Sequence, residues 1–134
     1  MIEANGAPGT GSRDAPAPAA APASRAPIPC ILVSTVIPAR EDADRLALHA
    51  VEQRLAACAQ VSGPITSHYR WQGNLERSAE WRVEFKTTSR RYPALEALVR
   101  TLHAYQIPEI IAVPIIEGSA EYLTWIGDEV TGDR

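Results

Sequence analysis

The chain has 134 residues and a formal net charge of −3, enough for one modest domain. Its cations are twelve arginines and the single Lys86, scattered rather than clustered, so nucleic acid is not expected as a partner. Two cysteines make no disulfide framework, and no apolar run approaches the ~20 residues of a membrane span. A cytoplasmic protein with no membrane partner is the expectation.

Residues 1–29 hold six of the eleven prolines amid Ala, Gly and Ser, with Ile2 and Ile28 the only branched apolar residues. Such a segment cannot bury enough surface to offset its chain entropy, and it lacks the cationic start and continuous apolar stretch of a secretory signal. It reads as a flexible arm, leaving residues 30–130 as the folded domain.

Within that domain, Cys30–Ile37 is a nearly continuous β-branched run, as in a central strand, and Pro38 ends it. Ala43, Leu46, Ala47, Ala50, Val51 and Leu55 follow an i, i+3, i+4 pattern that predicts a helix over about 41–56. Gly63-Pro64 reads as a bend or bulge. Ile65, Ser67, Tyr69 and Trp71 then alternate with polar residues, Gln72-Gly73-Asn74 makes a hairpin turn, and Trp81, Val83, Phe85 and Thr87 alternate with Arg82, Glu84 and Lys86. This predicts a hairpin with one apolar and one charged face. A second helix is predicted over 90–102, with Pro93 tolerated near its first turn, and a strand over 110–116 that Pro114 places at an edge or bulge. Ser119 caps a final helix.

The order β-α-β-β-α-β-α with right-handed crossovers predicts an α+β, ferredoxin-like sheet in the order 4-1-3-2, with helices on one face and an extra C-terminal helix. The stretch His103-Ala104-Tyr105-Gln106-Ile107-Pro108-Glu109 puts an imidazole, a phenol and a carboxylate just before the last strand. The imidazole can bind a metal or carry a proton near neutral pH, and Pro108 holds Ile107 extended so that Glu109 enters the strand at a defined angle.

Four motifs, Arg54-Leu55-Ala56-Ala57-Cys58, Tyr69-Arg70-Trp71-Gln72-Gly73, Lys86-Thr87-Thr88 and His103-Ala104-Tyr105-Gln106-Ile107-Pro108-Glu109-Ile110, resemble in order and spacing those of the CutA family of divalent-cation tolerance proteins. The resemblance spans about residues 31–127. It implies the ferredoxin-like fold, a homotrimer like that of the PII signalling proteins, tolerance to divalent metals (chiefly copper) and no accepted catalytic reaction. The chain departs from the family in three places: Ala104 where Pro is usual, Thr35 where some members carry Cys, and Leu102 where some carry a second His. A thiolate and an imidazole pair suit copper, so these losses weaken the copper inference for this chain.

The topology sorts the candidates by position. Cys30 and Cys58 open their strands at one end of the sheet, roughly 9–10 Å apart, beyond the ~7 Å reach of a disulfide. His103 lies at the other end, so it cannot share an ion with Cys58 in one chain. The groups expected to converge are His103 and Glu109 as metal ligands, with Tyr105, Tyr69, Arg70 and Trp71 around them. Cys58 is expected to be a structural residue or an alternative metal ligand. Each has a plainer reading as a cap, core aromatic or solvated charge. The expected function is a non-enzymatic homotrimer that binds a divalent metal or small ligand weakly at inter-subunit clefts. The alternative is a PII-like signalling module that binds an anionic metabolite.

Overall fold

A computed structural model describes residues 29–131. The arm expected over 1–29 lies, Pro29 apart, outside the described residues. The elements are β1 (Cys30–Ile37), α1 (Arg40–Glu52), β2 (Cys58–Trp71), β3 (Asn74–Thr88), α2 (Tyr92–Leu102), β4 (Ile110–Pro114) and α3 (Ala120–Val130), with one 3₁₀ turn (Ser89–Arg91) leading into α2. The four strands form one sheet in the order β2-β3-β1-β4, the expected split β-α-β arrangement. Every neighbouring pair is antiparallel.

α1 stops before the predicted residue 56 because Arg54 turns to φ 58, which breaks the helical ladder. The N–H groups of Leu55 and Ala56 then both bond Ala50 O. α3 starts where the sequence places it, with the Ser119 hydroxyl accepting from Tyr122 N–H. β4 ends at Pro114, short of the predicted 116, since Pro offers no N–H to carry the ladder further.

Residues of one parity on β1 and β3 (Ile31, Val33, Ile37, Val83, Phe85) meet Leu46 and Ala50 of α1 and Leu95 and Val99 of α2 in the main core. The opposite parity forms a second face, carrying Ser34, Arg82, Glu84 and Lys86. α3 does not join the main core. Its Ile126 and Val130 pack with Cys30 and Ala57 in a separate cluster at the Cys30 end of that second face. As expected, α1 and α2 share one face, and the extra C-terminal helix α3 crosses one end of the other. Arg54 ties it down by bonding Glu129 O at 3.0 Å.

The β2–β3 hairpin outgrows the sheet. β1 pairs only with Trp81–Thr88 of β3, so Asn74–Glu80 pair with β2 alone and form a two-stranded arm. At its tip Gln72 (φ 50) and Gly73 (φ 83) supply the two positive φ angles of a two-residue turn whose twist suits a hairpin.

Ser62 pairs with Arg82 but Ile65 pairs with Glu80, so one extra β2 residue is accommodated at Gly63-Pro64. That insertion exchanges the faces of everything beyond it. Ala59 and Val61 point to the main core, whereas Ile65, Ser67, Tyr69 and Trp71, of the same sequence parity, share the opposite face with Glu80, Ser78 and Glu76. The hairpin is therefore not apolar on one face and charged on the other, as its alternation suggests. Its β2 aromatics stand beside the acidic residues of β3.

Candidate functional site

The loop from α2 to β4 runs past the end of β1 and lies against the arm. Three contacts hold it. His103 Nε2 lies 2.7 Å from Val36 O, and Tyr105 N–H donates to His103 Nδ1 at 3.1 Å. The Tyr105 hydroxyl donates to Glu80 Oε2 at 2.8 Å. A carbonyl only accepts and an amide N–H only donates, so the imidazole is the tautomer with its proton on Nε2. Its ring also stacks obliquely on Tyr105, with centroids 5.0 Å apart.

Between loop and arm opens a cleft of about 780 Å³, whose lining includes Tyr69, Trp71, Glu80, Tyr105, Ile107 and Glu109. Its volume falls within the usual range for small-molecule sites. Glu80 sits in its wall at only 3% exposure, although Tyr69 and Trp71 remain well exposed. Tyr69 OH accepts from Ser78 Oγ at 3.3 Å. Glu109 meets Arg82 at 4.0 Å, the outer limit of an ion pair. Burial, then the hydrogen bond and charge of Glu80, push the Tyr105 phenol up to about 12.

Five sequence candidates, Tyr69, Arg70, Trp71, Tyr105 and Glu109, thus line one cleft. His103 does not. Both ring nitrogens are engaged by backbone groups, which leaves no free lone pair for a metal in this arrangement, and the imidazole instead positions the loop. Among the described residues no group of three or more His, Cys, Asp or Glu side chains is placed to hold a metal ion. Cys58 lies at the far end of the sheet, where it pairs with Lys86 in register and neighbours the Tyr122 phenol, whose pKa is raised by burial and by Cys58. Both cysteines are free thiols, and burial pushes the Cys30 thiol above its ordinary range.

Glu80 is the functional group that sequence reasoning missed. Its parity with Arg82, Glu84 and Lys86 places it on the charged face. Its hydrogen bond comes from Tyr105, on a loop distant in sequence.

The sequence pattern of the family described as CutA1 divalent ion tolerance protein matches residues 31–129. A Thermus thermophilus protein named divalent-cation tolerance protein CutA is 43% identical over 95 residues, covering 71% of this chain and 92% of that one. A Xenopus laevis protein named as a CutA homolog is 45% identical over 80 residues, covering 60% and 53%. The chain spans about half the length of its animal relatives. The crystal structure of CutA1 from Oryza sativa superposes with a TM-score of 0.76 at 34% identity, over 78% of this chain and 96% of that one. Plant relatives are named chloroplastic and an Archaeoglobus fulgidus structure is described as periplasmic, so kinship assigns no compartment. Among the described residues no helix is long and apolar enough to cross a membrane. Matching motifs, matching fold and a family pattern over nearly the whole described domain agree: the chain belongs to the CutA1 divalent ion tolerance family.

Proposed function

We propose that the chain is a non-enzymatic, ligand-binding subunit of a divalent-metal tolerance system, and that the cleft between arm and loop is its binding site. The observation that carries this reading is the Tyr105–Glu80 bond, which fixes a loop and an arm from distant parts of the sequence as two walls of one cavity. The Tyr69 and Tyr105 hydroxyls are engaged by their neighbours, and a phenol held near 12 is a poor proton carrier at neutral pH. Both features suit binding rather than proton transfer.

A homotrimer is part of the proposal. The arm leaves the Asn74–Glu80 edge of β3 without a second strand, and Ile111 and Val113, on the edge strand β4, stand exposed on the sheet face away from α1 and α2. Open strand edges and apolar surface of this kind are covered by strand pairing between copies. A copper or other divalent ion would then be held by Glu109 together with groups from a neighbouring subunit, with modest affinity and poor selectivity. Light scattering combined with calorimetric titration of copper, zinc and magnesium tests this reading. A mass near three chains and saturable heats that Glu109→Gln reduces support it, whereas a stable monomer that takes up no metal overturns it.

A further inference from the structure

Glu80 is an anomaly in the arrangement described. A carboxylate at 3% exposure is ordinarily paired with a cation, because burying an isolated charge is costly. Among the described residues no Lys, Arg or His nitrogen lies within 4.0 Å of it, the ion pairs there being those of other carboxylates. Its one side-chain partner among the described residues is the Tyr105 hydroxyl, which bonds Oε2. Glu80 Oε1 makes no hydrogen bond among the described residues, and the residue lines the cleft. Tyr105 stands beside Glu80, the Tyr69 hydroxyl bonds Ser78 two residues away on β3, and Trp71 and Glu109 line the same cleft.

A carboxylate in the wall of a cleft that three aromatic rings also line is chemistry suited to an organic cation. The carboxylate accepts hydrogen bonds from an ammonium or guanidinium group while the ring faces attract the charge and bury the apolar body. A bare divalent ion is served less well by this wall, since it needs several oxygen or nitrogen ligands and the rings supply none. Arg70 also lines the cleft, and Arg82 partly neutralises Glu109, so the selection for positive charge is local to Glu80.

We propose that the cleft binds a small organic cation, an ammonium or guanidinium group on an apolar body, with Glu80 as its counter-ion and Tyr69, Trp71 and Tyr105 as its walls. This rests on the cleft being a ligand site and names the class of ligand. The same cationic chemistry on the surface of a neighbouring copy would occupy the cleft permanently and leave nothing for a free amine to bind.

The test is calorimetric titration of the full-length protein with benzylamine, benzyl alcohol and benzoate, three probes of similar size that differ in charge. Agmatine serves as a guanidinium probe. Benzylamine and agmatine are expected to bind saturably, with benzyl alcohol and benzoate at least about tenfold weaker. Glu80→Gln is expected to reduce amine affinity about tenfold or more while leaving alcohol binding unchanged. Should that variant fail to fold, amide chemical-shift mapping of benzylamine on the unaltered protein replaces it, with perturbations expected at Tyr69, Trp71 and Tyr105. Equal binding of amine and alcohol, an unchanged Glu80→Gln affinity, shifts confined to other surfaces or no amine binding each overturns the proposal. If benzoate or a metal binds the cleft and amines do not, the organic-cation assignment fails while the cleft survives as a ligand site. If nothing binds there, both fail.

Discussion

The Tyr105 phenol donates to Glu80 Oε2 at 2.8 Å, although the two residues are 25 positions apart and belong to different elements. Replacing Tyr105 with Phe removes the donor and leaves a buried carboxylate without its side-chain partner. The expected cost is about 1–3 kcal/mol. Urea unfolding at fixed protein concentration should show it as a lower midpoint with an unchanged slope.

The same pair sets an alkaline limit. The folded state raises the Tyr105 pKa to about 12, above the ordinary tyrosine value of 10.0, so the neutral phenol is favoured by folding. That contribution is complete below about pH 10 and is lost as pH rises toward 12. Ultraviolet titration of tyrosinate should reveal a late-titrating phenol that disappears in Tyr105→Phe, and stability measured over that window should fall more steeply in the parent chain than in the variant.

Thr35 is fully buried on β1, and its hydroxyl is a buried polar atom with no hydrogen-bond partner among the described residues. Thr35→Val replaces an unsatisfied oxygen by a methyl group of nearly the same shape and should stabilise the protein by about 1 kcal/mol. A higher urea midpoint is the readout, and a lower one would mean that the hydroxyl is satisfied in solution.

Gly63 holds the β2 bulge at φ +148, where a Cβ would stand 2.9 Å from the Trp81 ring and 3.1 Å from Glu80 O. Gly63→Ala should cost about 1–3 kcal/mol. Because the clash falls on the Trp81 ring and then on the backbone of Glu80, cleft binding should weaken along with stability, and paired melting and titration experiments would show both.

His103→Ala deletes the loop's two anchoring bonds, one to Val36 O and one from Tyr105 N–H. Stability is expected to drop by about 1–3 kcal/mol, with metal stoichiometry unaltered. Loss of metal uptake without loss of stability would restore the imidazole as a ligand.

The strand order, the hairpin and all three helices were legible in the sequence, because each carries its own period and punctuation. Ser119, Pro38 and the Gln72-Gly73 pair mark their boundaries by local chemistry alone. Five cleft residues were legible as well, through their motifs. The side of the sheet they occupy was not. Gly63-Pro64 reads as a bend, but that it exchanges the faces of Tyr69 and Trp71 follows only from pairing with β3. For the same reason nothing in the alternation of Arg82, Glu84 and Lys86 singles out Glu80. His103 was overvalued because sequence shows what an imidazole can do and not which of its nitrogens are already engaged. The position of α3 escaped too, since its apolar stripe fits either face and Cys30 and Ala57 decide the matter.

The insertion at Gly63-Pro64 also works as a phase shifter. On the sheet side of it β2 is in step with the hydrophobic core, and on the arm side it is in step with the cleft. The two surfaces are thereby uncoupled. A single-residue insertion or deletion in β2 beyond the bulge would rotate Tyr69 and Trp71 out of the cleft while leaving Val61, Phe85 and the core untouched. Lengthening the arm by two residues on each strand would preserve both. Between the bulge and Tyr69 the arm therefore keeps its aromatics on the cleft face only if its length changes in even steps on each strand, whereas the core beneath it sets no such rule.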